Sequence, residues 1–110
     1  MGAFVKGEVV VVPFPFSDLS ATKRRPSLVV AQLTGDDVIL CQITSQGVAD
    51  KYAISLDAQD FASGGLNQAS SIRPNRLFTA DSNIVLYSAG TVTKPKMQEV
   101  TDKIVQIVSK

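Results

Sequence analysis

The chain has 110 residues, 45% hydrophobic and 19% charged, which provides for one core and no second domain, so residues 1–110 read as a single unit. A core of that size folds without disulfide or metal, and one cysteine, no histidine and no grouped carboxylates argue against a zinc or two-metal site. No stretch approaches the roughly 20 apolar residues that span a bilayer, and Glu8 with two prolines spoils "VVVVPFPF" as a signal-peptide core, so cytoplasmic residence is expected.

Residues 8–14, "EVVVVPF", lack polar alternation and predict a first strand buried on both faces. "PFSDLSATKRR" follows as a long exposed loop, the kind that small domains keep for function. "SLVVAQL" and "VILCQIT" predict two strands joined by the tight turn "TGDD", with Gly35 free to take a positive φ. Cys41 falls inside the second of these runs and reads as a small buried thiol. "KYAISL" predicts a fourth strand and "DAQDFASGGL" a turn region with a short helical turn. "SSIRP" and "RLFTA" predict two short strands or one strand bent at Pro74, and "NIVLY" another short apolar segment.

The end of the chain changes period. Met97, Val100, Ile104, Ile107 and Val108 recur at spacings of three and four, one face of a helix over residues 94–109. Thr93 suits its N-cap and Pro95 its first turn. The stripe serves core or dimer packing. Together these elements predict a mainly β fold, a small, strongly bent antiparallel sheet or barrel closed by a C-terminal helix.

Net charge is +1, but it is unevenly placed. Residues 1–34 carry four cations against two acids, residues 35–70 one against five, and residues 71–110 six against three. All arginines sit at two places, Arg24 with Arg25 and Arg73 with Arg76. Two such pairs can meet in a fold and form one anion-binding surface, or remain scattered solvated charges. If the second and third strands pair as a hairpin, Arg25 at the start of one lies near Thr44 at the end of the other. A guanidinium beside a hydroxyl suits a phosphate, because Arg offers a planar fork of donors.

These stretches resemble a known family. "KGEVVVVPFPFSDLSATKRRPSLVVA" follows the opening of the MazF/PemK toxins, "CQITSQ" their Ile-Thr-Ser segment, and "GGLNQASSIRPNRLFTAD" their Gly-Leu, Ser, Val/Ile-Arg stretch. The resemblance spans almost the whole chain in order. It implies an SH3-like antiparallel barrel with a terminal helix, related to the CcdB and MazF folds. It also implies a homodimer and the toxin half of a type II toxin–antitoxin pair, binding DNA only through the complex with a cognate antitoxin. The implied activity is metal-independent, cofactor-free cleavage of single-stranded RNA at short sequences, leaving a 2′,3′-cyclic phosphate and a 5′-hydroxyl.

The family's catalytic arginine and threonine fall on Arg25 and Thr44, and its groove residues on Ser45 and Arg73. Some relatives carry an aspartate close after that arginine; here Asn75 is nearest, with Arg76 beyond it. Lys23 and Arg24 are placed to draw in the RNA backbone, and Phe16, with Ser17 beside it, to stack on a base. Without histidine, the protons of such a reaction lack their usual carrier, so charge stabilisation by Arg25 must carry the rate. Asp18 is the weak candidate for a base. A non-catalytic barrel that binds RNA or poisons a protein target, as CcdB toxins do, is the alternative; those rely on a C-terminal tryptophan, and this chain has none.

Overall fold

A computed structural model describes residues 4–14, 23–45 and 50–110, apart from the Phe14 side chain. Phe16, Ser17 and Asp18 therefore lie outside the described residues. One antiparallel sheet of seven strands curls into a half-barrel. Its strands are β1 (Glu8–Phe14), β2 (Lys23–Gln32), β3 (Asp37–Thr44), β4 (Ile54–Leu56), β5 (Phe61–Gly64), β6 (Ser70–Asp81) and β7 (Tyr87–Val92), in the order β4-β6-β3-β2-β1-β7-β5. Helix α1 (Lys94–Val108) follows the last strand, with Thr93 Oγ1 accepting from the Lys96 amide at 3.3 Å and Pro95 in the first turn. The expected mainly β fold with a terminal helix is what the chain forms.

Strand β1 lies inside the sheet, between β2 and β7. Its unbroken valine run is buried on both faces, from Val9 at 0% exposed to Val11 at 6%. Val9 joins Leu28, Cys41, Ile43, Ile54, Leu56, Ile72 and Val92 under Met97 and Val100 of α1. On the other face Val10 and Val12 pack with Val29, Val38 and Leu40, flanked by Phe4, Phe78, Ala80 and Val85. Each such side chain contributes about 1.5–3 kcal/mol when fully buried. The helix stripe is core at Met97 and Val100, whereas Val108 at its far end is 70% exposed. Burial also pushes the Cys41 thiol up to about 12, so it is a packing residue and not a nucleophile.

Several boundaries differ from the expectation. The cationic run belongs to β2 and not to the preceding loop, since Lys23, Arg24 and Arg25 oppose Phe14, Pro13 and Val12. Ladder bonds are made by backbone, so exposed charged side chains do not prevent the pairing. The β2–β3 ladder stops at Ser27↔Gln42, beside Pro26, which has no amide to donate. Only Ile54–Leu56 of "KYAISL" is strand, because Asp50 closes a turn through Ala53 N–H to its carbonyl at 3.0 Å. "SSIRP" and "RLFTA" form one strand, bent where the β3 partner jumps from Leu77 to Arg73. In "NIVLY", Ser82–Ile84 is a 3₁₀ turn and the strand begins only at Tyr87.

The pair β5–β7 escaped sequence reading because it is built from small residues. A Cβ on Gly90 would stand 2.4 Å from the Ser63 carbonyl oxygen. One on Gly64, where φ is +69°, would stand 2.2 Å from that of Ala89. Backbones this close admit no side chain, and the loss of β-propensity is the consequence. Gly90→Ala should therefore destabilise the protein by about 1–3 kcal/mol, read as a lower midpoint of thermal unfolding. An unchanged midpoint would mean that the two strands do not approach this closely.

Candidate RNA-binding face

Side chains alternate along a strand, so register decides which residues share a face. Ser27 opposes Gln42, and Gln42 opposes Arg73. The β2–β3 ladder ends at Ser27↔Gln42; Arg25 lies two residues before Ser27 and Thr44 two after Gln42, which puts both on the side of Ser27 and Gln42. Thr44 opposes Ser71, which opposes Ser55 on β4. Lys23, Arg25 and Ser27 thus share a face with Gln42 and Thr44, Ser71 and Arg73, and Ser55. This polar area continues from the patch of Val10, Val12 and Val29 on the same side. Helix α1 covers the opposite side.

The structure brings together Lys23, Arg25, Thr44 and Arg73 among the sequence-derived candidates. Arg24 alternates to the other face and is exposed. Ser45 is exposed at the bend leaving β3, and Arg76 is exposed in the β6 bulge. Arg25 is half-buried at its strand end, which limits where its guanidinium can go. Lys23, in contrast, is exposed.

Arg73 is engaged. Its Nη2 donates to Asp50 Oδ2 at 3.2 Å, and the two side chains are 20% and 12% exposed. Asp50 Oδ1 accepts from the Tyr52 amide at 2.9 Å. Bonded first to that amide and then to the Arg73 and Asn75 side chains, the Asp50 carboxyl is held below its usual range. Next to this turn, Lys110 Nζ donates to the Tyr52 hydroxyl at 2.6 Å and lies 4.9 Å from its ring centre, with Lys51 Nζ at 5.5 Å. The Lys110 bond is the main cause of a lowered Tyr52 pKa.

Sequence reasoning missed Ser27, Gln42, Ser55, Ser71 and Asp50. Ser27 is fully buried, and its Oγ has no hydrogen-bond partner among the described residues. The signal for the hydroxyl row was strand register, which a single sequence does not print. Among the described residues no three of His, Cys, Asp and Glu converge as a metal site would require. Nor does any helix among them have the length and apolar character to cross a membrane.

What the face offers is a set of fixed donors: guanidinium groups, hydroxyls and an amide along a rigid sheet. A family model described as PemK-like, MazF-like toxin of type II toxin–antitoxin system matches residues 5–108. The chain belongs to this toxin family. No curated protein matches it significantly in sequence. Solved structures nonetheless share the toxin fold along its whole length. MazF from Deinococcus radiodurans is 16% identical, with a TM-score of 0.78 and complete coverage of both chains. A mycobacterial endoribonuclease, solved with its cognate antitoxin, is 14% identical over 97% of this toxin and 96% of its own chain, with a TM-score of 0.77. The MazE–MazF complex of Deinococcus radiodurans gives 17% identity, 98% coverage of each chain and a TM-score of 0.76. At these identities the likeness is one of fold.

Proposed function

We propose that this toxin is a metal-independent endoribonuclease that cleaves single-stranded RNA at short sequences, with Arg25 and Thr44 at its reacting phosphate. One observation carries the reading most: strand alternation gives Arg25 and Thr44 the same sheet face, which also holds Arg73, Ser71 and Lys23. Support comes from the related fold of the mycobacterial endoribonuclease.

In the proposed reaction the RNA 2′-oxygen attacks the adjacent phosphorus, and the bond from phosphorus to the 5′-oxygen breaks. One proton leaves the 2′-oxygen and one joins the 5′-oxygen, giving a 2′,3′-cyclic phosphate and a 5′-hydroxyl. Arg25 stabilises charge building on the non-bridging oxygens, and the Thr44 hydroxyl donates to one of them. Arg25 acts through its charge and its planar fork of donors. Lys23 draws in the backbone from the strand end, while Ser45 and Arg76 meet it at the rims; Arg24, turned to the other face, adds only longer-range attraction. Phe16 and Ser17 keep their proposed base contacts on sequence grounds alone.

The partners proposed are a second copy of the chain and an antitoxin. Leu86 and Tyr87, 46% and 54% exposed, are apolar surface of the kind a two-fold interface covers. Antitoxin complexes are known for the mycobacterial and Deinococcus relatives. An acidic or amphipathic antitoxin segment would lie across Arg25 and Arg73, excluding RNA.

A long single-stranded RNA incubated with the purified toxin in excess EDTA tests this reading. Fragments bearing 5′-hydroxyl ends are expected, and none from RNA lacking the 2′-hydroxyl at the cut. EDTA-sensitive cleavage, or cleavage of the deoxy substrate, would mean another mechanism.

A further inference from the structure

Asp50, from the connection between β3 and β4, places its carboxylate 3.2 Å from the Arg73 guanidinium. We propose that Asp50 is a positioning residue of the RNA site, fixing the Arg73 guanidinium before substrate arrives; this rests on the RNA-cleaving reading above.

Asp50 is itself immobilised. Its backbone carbonyl closes the turn to Ala53, its Oδ1 takes the Tyr52 amide, and its Oδ2 is left for Arg73. Arg73 is held from below by its place opposite Gln42 and by Cys41 Sγ, which donates to its carbonyl at 3.0 Å. Those contacts fix only the backbone. A long arginine side chain otherwise samples many rotamers, and a second anchor at its tip selects among them. Asp50 is that anchor.

The pairing also leaves a donor unspent. Nη2 goes to Asp50, whereas Arg73 Nε is buried and has no hydrogen-bond partner among the described residues. A buried donor without a partner is costly, and a substrate oxygen would satisfy it. A displaceable latch is disfavoured by the same geometry, because a carboxylate bonded on both oxygens and only 12% exposed is not poised to leave.

Simple electrostatics predicts the opposite of positioning. Removing a negative charge beside an anion site should tighten RNA binding, whereas removing an anchor should weaken it. Fluorescence anisotropy with a labelled, mixed-sequence 2′-O-methyl RNA, which lacks the attacking hydroxyl, measures the sign. Asp50→Ala should weaken binding by about tenfold, the effect of one charge-assisted bond, and Asp50→Asn by less because it keeps the shape and the Tyr52 contact. In cleavage assays KM should rise with kcat within about threefold, since Asp50 touches no reacting atom. Arg73→Ala should bind worse than the Asp50→Ala/Arg73→Ala double variant, because it leaves an uncompensated carboxylate in the anion site. Should Asp50→Ala fail to fold, the isosteric Asn variant still decides.

Folded Asp50→Asn that binds RNA as well as or better than wild type overturns the proposal, whether or not the wild type cleaves. A wild type that binds but never cleaves, with the predicted order of affinities, removes the nuclease reading and upholds the positioning role. Failure of the wild type to bind RNA removes both.

Discussion

Arg25→Ala is expected to lower single-turnover RNA cleavage by at least about 10²-fold while the protein stays folded. No histidine exists to handle charge or protons, so a guanidinium at the reacting phosphate is the strongest stabiliser available. The fold should survive because Arg25 is half-buried at a strand end, beyond the Ser27↔Gln42 limit of the β2–β3 ladder. Arg25→Lys should recover only part of the rate, since a point charge cannot make the planar two-donor contact. Thr44→Ala should lose less than Arg25→Ala, because a neutral hydroxyl is the weaker donor. Rates for all four proteins on one RNA, after circular dichroism confirms folding, check this. A folded Arg25→Ala variant at wild-type rate would remove Arg25 from the mechanism.

The second large effect falls on stability. Ile72→Ala should cost about 2–5 kcal/mol, a sizeable part of the roughly 5–15 kcal/mol that holds a domain folded. Ile72 is 0% exposed and lies between Ile43 and Ile54, so its loss opens a cavity where β3, β6 and β4 meet. It also separates Ser71 from Arg73, so the same cavity loosens the floor of the proposed site. Urea unfolding should show a lower midpoint with an unchanged slope. A shift below about 1 kcal/mol would mean that this corner of the core relaxes around the gap.

Much of the architecture was legible because it rests on local patterns. The Val-rich run announced a strand buried on both faces, and Thr93 with Pro95 announced the helix start. "TGDD" placed the β2–β3 turn, and with it the pairing that runs from Gln32↔Val38 to Ser27↔Gln42. What stayed hidden depends on distant backbone. Strand β7 reads "YSAGTV", with small residues demanded by the close approach of Gly64 and not by strand propensity. The extension of β2 through Lys23 follows from pairing with β1, against what three consecutive cations suggest locally. Asp50 could not be linked to Arg73, since they stand 23 positions apart and meet only through the fold. Asn75 looked like the loss of a carboxylate; in the fold Asp50, from the connection between β3 and β4, pairs with Arg73.

The central claim is that a sheet face centred on Arg25 makes this toxin a sequence-specific endoribonuclease. Sequencing of 5′-hydroxyl ends in a long single-stranded RNA, treated with wild type or Arg25→Ala in EDTA, tests it most directly. The account predicts wild-type ends clustered at one short recurring sequence and absent with the variant. Ends that match between the two proteins, or no ends above untreated RNA, would contradict it.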